Sequence, residues 1–521
     1  MRRPTSLLPA ASRLAARIDL RGPHRRAALR QRLAALAGAL GAPGPDEGPT
    51  SGLLDRVGGV LDPADASHVW LAHAVLAARL PPPPGVRGSL RRAKVDGPGA
   101  VLDLALDRAF DRSIDFAPDA DLRTDVPDHL GWPAVEVVTS EVLVDLQGVV
   151  GRHRPALAPF VVQACAERWS RDHRPTFVRW GGRGTSLHRL DEAERTAALS
   201  GGGWHPDDPP GDRTVLVPWR CTYLVLEPAT ERNRVQGLTG LLAHGATVGT
   251  GIGFDFSPMT AHRPSAAADQ DDAHFALSLA VTRELTRVAA VSASVAGEYE
   301  GWRHALAGSG ATGPTVHVVP LAADLPRPSP AARTALQVRL AVPGTPMVLA
   351  VGSHDRLANH LGLLHAAELL WRRDVAFHLT VVGSGGADAA RVAERVRSLQ
   401  LAGRLVELVP DVDPGDRRAL YELAHVVVHP ALGEAFATTV AEARSCGIPV
   451  VTASFGAMAE AASGGGALLV DTRDGHALAR AVERVLVEPG LREALASAWV
   501  DPPVRTWDLW AEELWAVLTG D

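Results

Sequence analysis

Two glutamates eight residues apart, Glu434 and Glu442, lie in the stretch His429 to Val451, HPALGEAFATTVAEARSCGIPVV, where the residue types best suited to ligand chemistry are concentrated. A carboxylate accepts hydrogen bonds from hydroxyl groups, so each glutamate suits a sugar. Between them the backbone N–H groups of Ala435 to Thr439 open a helix, and the unpaired donors of a helix start favour a diphosphate. Acid, anion site and second acid form a layout able to grip a sugar, its phosphates and a ribose in turn. If both acids were helical they would be offset by about 80° around the axis, so they need not touch. The same spacing also fits a solvated helix with two surface acids.

The elements around the two acids decide between these readings. HVVVH reads as a short apolar strand ended by Pro430, which opens a loop through Gly433. Thr438 to Ser445 reads as a helix closed by Gly447 and Pro449, and Val450-Val451 starts the next strand. That order is a βαβ unit, whose strands run parallel and whose loops at the strand C-terminal ends face a ligand crevice. Upstream and downstream, strands are expected at 347–351, 376–382, 405–409, 425–429, 449–452 and 467–470. Helices are expected at 357–371, 387–399, 416–424, 438–445 and 475–487, which together make a doubly wound domain, with a closing helix over 507–518.

Before that domain, strands and helices alternate from Val135 onward. VEVVTSEVLVDLQG reads as one strand ending at Gly148, Leu157 to Trp169 as a helix and PTFVRW as a strand ending at Trp180. TVLVP, ATVGTGIGF, RVAAVS and TVHVVP supply further strands, and Ala273 to Leu285 a helix, so a mostly parallel sheet is expected here too. Residues 1–134 read as a helical extension, with helices at 23–40, 69–80 and 100–110. Pro81 to Pro84 and a loop through Gly88 and Gly97 separate the last two. In the 23–40 helix Leu29, Leu33, Leu36 and Leu40 make one apolar face, with Pro23 at the start and Gly41 past the end.

Length bounds the rest: 521 residues exceed one core. A formal charge of −6 argues against nucleic acid as the main partner, yet residues 1–45 hold nine arginines against Asp19, a local +8 that leaves −14 elsewhere. The basic helix therefore has two readings, a membrane-surface helix or a helix packed on the protein's own acidic body. Cys165, Cys221 and Cys446 are odd in number and far apart, which fits a reducing cytoplasm. No apolar run reaches membrane-spanning length, and Arg13 and Arg17 interrupt the apolar stretch near the N-terminus, against a secretory signal.

The HPALGEAF stretch, together with MVLAVGSHDRLANHLGLLHAAELLW, FHLTVVGSGG and GIPVVTASFGAMAEAASGGGALLV, resembles the retaining glycosyltransferases of family four, the group 1 glycosyltransferases. The resemblance is strong over roughly residues 345–520 and weak over 136–330. It implies the α/β GT-B architecture: two Rossmann-like doubly wound domains facing a cleft, here preceded by the helical extension. The acceptor domain would be 135–341, the nucleotide-sugar donor domain 342–504, and 505–521 a helix crossing back to the acceptor domain. The implied activity is metal-independent, retaining hexosyl transfer from a nucleotide sugar to a glycan, lipid-linked or small-molecule acceptor, as in bacterial polysaccharide biosynthesis. No cofactor beyond that co-substrate is implied. The setting would be cytoplasmic, with residues 1–45 a possible peripheral contact to the inner membrane face.

Residue by residue, the resemblance places the donor sugar on Glu434 and the ribose on Glu442, with Gly433, Ala435, Phe436, Ala437 and Thr438 around the donor. Gly352 and Ser353 would approach the phosphates, and Asp411 and Val412 the base, which leaves Asp411-Val412-Asp413 no metal role. Gly148, Trp180 and Asp255 would face the acceptor, Trp180 by stacking on a sugar ring.

The departures are specific. Where the family has an Arg and a Lys that neutralise the leaving diphosphate, this chain has Leu357 and Ala358, with Arg356 displaced by one as their replacement. Phe254 stands where a His commonly precedes the Asp, and Ala435 and Ala437 stand where glycines are common. These changes keep open a catalytically impaired GT-B protein that binds a nucleotide sugar or a partner enzyme. A phosphorylase on the same fold is disfavoured, since Lys94, the one lysine, lies outside the matching domain.

Overall fold

The computed structural model describes residues 8–19, 23–42, 49–110, 133–149, 157–181, 184–200, 214–260, 275–410, 412–413, 415–499 and 505–520. Asp411 and residues 273–274 of one expected helix lie outside them; the described part of that helix runs over 275–282. No helix among the described residues is long and apolar enough to cross a membrane.

Among the described residues six helices come first: Leu8–Asp19, Pro23–Ala39, Thr50–Val60, Ala66–Ala77, Pro83–Asp96 and Pro98–Phe110. Leu29, Leu33 and Leu36 are fully buried, so the apolar face of the basic helix is used inside the molecule. Arg32 goes in with them and donates to the carbonyls of Leu76 at 2.8 Å and Pro133 at 2.7 Å; burial pushes its guanidinium down to about 10. Arg17 pairs with Asp103 and Asp107 of the sixth helix.

The loop expected through Gly88 is instead the helix Pro83–Asp96. Its prolines occupy the first turn, where a missing N–H costs nothing, and it buries Val86, Ser89 and Ala93. A polar Ser in that buried row masks the helical period. Its Oγ meets His73 Nε2 at 2.8 Å.

The first sheet contains β1 (Val135–Thr139), β2 (Val142–Asp145), β3 (Thr176–Trp180), β4 (Leu187–Arg189), β5 (Val215–Trp219), β6 (Thr222–Val225), β7 (Val248–Gly253), β8 (Arg287–Ala290) and β9 (Thr315–Val318). Their order is β1-β5-β4-β3-β2-β6-β7-β8-β9, parallel except for β4. The single strand expected from Val135 to Gly148 is two strands with different neighbours. Ser140, at φ 58°, breaks it; Arg220, at φ 56°, breaks the paired segment at the same level, and Ser140 N–H donates to Arg220 C=O at 3.2 Å. A left-handed non-glycine residue has no signature in hydropathy, so periodicity runs straight through it.

In the second sheet β10 (Met347–Val351), β11 (His378–Val382), β12 (Val406–Val409), β13 (Val426–His429), β14 (Val450–Ala453) and β15 (Ala467–Val470) are all parallel, in the order β12-β11-β10-β13-β14-β15. Strand order therefore reverses between β10 and β13, and the crevice beyond their C-terminal ends is the ligand position of such sheets. The helix expected from Leu357 starts at His360, because Asn359 sits at φ 56° with its Nδ2 bonded to the carbonyls of Pro430 and Thr472. The final helix, Trp507–Thr519, returns to the first sheet, where Trp510 Nε1 reaches Val319 C=O at 3.2 Å and Trp169 Nε1 reaches Ala511 C=O at 2.9 Å.

The helical extension and the first sheet share one core. A Cβ on Gly240, in helix Arg232–His244, would lie 2.0 Å from the Pro81 carbonyl oxygen. Gly→Ala inside a helix ordinarily stabilises by about 1 kcal/mol. At Gly240 the sign should reverse, with a loss of about 1–3 kcal/mol from overpacking. At Gly88, which has nothing within 4 Å, the ordinary gain should appear. Urea unfolding midpoints of the two alanine variants check both signs.

Candidate active site at the strand-order reversal

At the end of β10 the chain turns through Gly352, at φ 149°, whose N–H donates to Val382 C=O at 3.0 Å. A Cβ on the facing Gly383 would be 1.8 Å from Gly352 O, so the two loops approach at backbone contact. Asp355 shapes the next turn, accepting from Ser353 Oγ at 2.6 Å and Ala358 N–H at 2.9 Å. Arg356 is exposed on this turn. Leu357 C=O accepts Leu432 N–H at 2.7 Å, which zips the β10 loop to the β13 loop and brings Gly352, Ser353 and Gly433 into one neighbourhood.

Two buried histidines lie under the β10 turn. His354 Nε2 is 2.9 Å from Gly383 C=O, and His354 Nδ1 is 2.8 Å from His360 Nδ1. A carbonyl only accepts, so His354 carries its proton on Nε2 and accepts from His360 Nδ1–H. Burial, then the facing His354 and His429, push His360 down to about 3, so its imidazole is neutral near pH 7. No group of three His, Cys, Asp or Glu among the described residues is arranged to hold a metal ion.

Glu434 lies beyond β13, its side chain 37% exposed, and its Oε2 accepts from His429 Nε2 at 2.9 Å. The next two residues turn away from their own sheet: Ala435 and Phe436 are buried in the core of the first domain. Ser292 Oγ, after β8, donates to Ala435 C=O at 2.7 Å. Glu434 therefore stands in the groove between the two sheets rather than on an outer surface.

The helix Thr438–Ser445 follows, opened by Ala437 with no side-chain cap, and Thr439 Oγ1 bonds Val351 C=O at 3.3 Å, fixing the helix start beside Gly352. Glu442 is 5% exposed; Tyr421 O–H donates to its Oε2 at 2.7 Å and Arg417 Nη1 to its Oε1 at 3.1 Å. Burial raises its carboxyl, and the opposing pull of Arg417 and Tyr421 does not fully offset that. The bland alternative of two solvated surface acids thus fails for Glu442.

Sequence reasoning missed Tyr421, Arg417 and Ser292 and gave His429, which is buried, no site role. Only His429 carries a local signal, five residues before Glu434 at a strand end.

On the first-domain side the expected residues divide. A Cβ on Gly148 would fall 1.4 Å from Glu227 Oε2, so Gly148 is a close-approach position under that carboxylate. Trp180 does not stack in an open site. It is 3% exposed, its Nε1 donates to Asp145 Oδ2 at 2.9 Å, and its ring packs over Gly237. Asp145 also accepts from Tyr223 O–H at 2.8 Å and Arg234 Nη2 at 3.0 Å, so the strand ends here are closed by a buried ion network. Asp255 follows β7 and Phe254; beside it Glu298, held up by burial and by Asp255, accepts Phe256 N–H at 2.7 Å. Val412, half-buried, packs on the second domain's core.

Residues 333–498 match the family described as glycosyl transferases group 1. The match covers the second domain. The chain is 36% identical over 199 residues to the D-inositol 3-phosphate glycosyltransferase of Salinispora arenicola, covering 35% of this chain and 44% of that protein. It is 33% identical over 212 residues to the enzyme of the same description from Actinosynnema mirum, covering 39% and 51%. The chain thus spans about half the length of these curated relatives.

Among solved structures, sucrose-phosphate synthase from Thermosynechococcus elongatus superposes with TM-score 0.54 at 17% identity, over 73% of this chain and 98% of that one. Anabaena Alr3699/HepE, in complex with UDP, gives 0.50 at 14%, over 74% and 100%. These likenesses establish the fold, GT-B, with two Rossmann-like sheets facing a cleft after a helical N-terminal region.

Because Glu442 binds its proton more tightly folded than unfolded, its contribution to stability is greatest at acid pH and is lost as pH rises through the raised folded value. Glu442→Gln should therefore unfold at a higher urea concentration than the native chain near pH 7, and the gap should close towards about pH 4.

Proposed function

We propose that the protein is a retaining glycosyltransferase that moves a sugar from a nucleotide diphosphate to an acceptor hydroxyl. One observation carries this reading: Glu434, the uncapped start of helix Thr438–Ser445 and Glu442 follow one another along the crevice at the β10–β13 reversal, with Glu434 in the groove between the sheets. The group 1 domain and the named activity of the curated relatives support it.

In this reading Glu434 accepts donor-sugar hydroxyls, held at fixed reach by His429. The N–H groups opening the helix, with Gly352 and Ser353, hold the diphosphate, and Glu442 accepts from the ribose. The bond from sugar C1 to the diphosphate oxygen breaks, and its electron pair stays on that oxygen. The acceptor oxygen bonds C1 from the same face and passes its proton to the leaving diphosphate. Preorganised donors aimed at such developing charge lower a barrier without reorganisation. Leu357 and Ala358 supply no charge there, so Arg356, exposed on the adjoining turn, is the cation assigned to the leaving group, and no metal takes part.

The relatives' acceptor belongs to those proteins. The acceptor here is a hydroxyl of a glycan, lipid-linked or small-molecule compound that approaches from the first-domain side, near Asp255.

Nucleotide release from a panel of nucleotide sugars tests the reading. Glu434→Ala should lower it by about 100-fold or more, and Arg356→Ala should reduce turnover more than nucleotide affinity. EDTA should leave the native rate unchanged. Release that is equal in the native chain and in Glu434→Ala would overturn the assignment.

A further inference from the structure

Glu434 is held on one side by His429 of its own domain; on the other side the chain is held by the first domain. Ser292, fully buried at the end of β8, caps helix Ala293–Ala307 by accepting Val295 N–H at 3.1 Å. A hydroxyl has one proton, and here it goes to Ala435 C=O at 2.7 Å, across the groove. The same helix start is gripped a second time from the second domain. Glu460, in helix Gly456–Ala461, takes Ala293 N–H on Oε1 at 2.8 Å and Ser294 N–H on Oε2 at 2.9 Å. A carboxylate on the first N–H groups of a 15-residue helix combines charge-assisted hydrogen bonds with a favourable helix dipole. Ala435 and Phe436 complete the contact by packing into the first domain's core.

We propose that Ser292 is a positioning residue for Glu434, fixing the peptide that follows the glutamate, and that Glu460 fixes Ser292 in turn by anchoring its helix. This rests on the donor-site reading above. Without the hydroxyl, the buried Ala435 carbonyl loses its partner in the first domain and only the apolar packing of Ala435 and Phe436 is left to set the turn on that side, while the helix start that holds phosphates, eight residues of its own domain, stays put. Loss of Ser292 therefore weakens recognition of the sugar and spares recognition of the diphosphate. General destabilisation would move both together.

Isothermal titration separates these outcomes, with UDP-glucose and GDP-mannose as intact donors and UDP and GDP as their leaving groups. Ser292→Ala should lower affinity for the bound nucleotide sugar about tenfold while changing that for the matching diphosphate by less than about twofold, and Ser292→Thr should restore it. Glu460→Gln, which keeps the hydroxyl, should show the same selective loss at about threefold. In a Glu434→Ala background Ser292→Ala should add nothing, since residues acting through one another are not additive.

A native ratio of the two affinities in Ser292→Ala, or a full additional loss on top of Glu434→Ala, would overturn the positioning role and leave the donor site standing. A native chain that binds neither ligand of either pair would overturn both.

Discussion

The structure depends on a reversal of strand order. β10 and β13 are neighbours in the second sheet, yet the chain leaves them towards opposite edges, so no connection covers their C-terminal ends. The loops after these two strands are left facing one another, and the Leu432–Leu357 backbone bond joins them. Every element of the proposed donor site is a consequence: the glycine turn at Gly352, the acid at Glu434 and the open helix start at Thr438 are the ends of strands that parallel pairing forces side by side. The same loop then runs into the other domain's core at Ala435 and Phe436, so the groove has a floor built from both sheets.

Electrostatically the proposed site offers backbone dipoles more than fixed cations. Leu357 and Ala358 line the turn where charge would be expected, and His360 is held neutral by burial. Arg417 is spent on Glu442, whose desolvation it only partly offsets. Backbone N–H groups at a helix start lose nothing with pH, so a site built on them keeps its anion preference where histidine would not.

The helical extension is part of the first domain's architecture rather than an appendage. Leu80 N–H bonds Thr185 C=O at 2.9 Å, Leu80 and Pro81 press on helix Arg232–His244, and Trp180 wedges against Gly237 of the same helix. That helix carries Arg234, whose ion pairs with Asp145 and Glu227 close the strand ends on the acceptor side. Residues 333–498 match the group 1 family, and the wall opposite the proposed donor loop is built from segments outside that match.

What the sequence determined by itself was the second domain's alternation of strands and helices. Apolar runs of strand length alternate there with amphipathic helices, both turn glycines and Glu434 lie within a few residues of a strand end, and Glu442 lies on the helix that follows, so local pattern and position coincide. Tertiary structure decided the rest. Ser140 and Arg220 break strands by a backbone angle that hydropathy does not record, and Trp180 is buried because helix Arg232–His244 covers it. Tyr421 lies 21 residues from Glu442 and Ser292 143 residues from Ala435. Contacts at such separations are set by how sheets stack and domains meet, and a linear reading carries the residue types without the packing that brings them together.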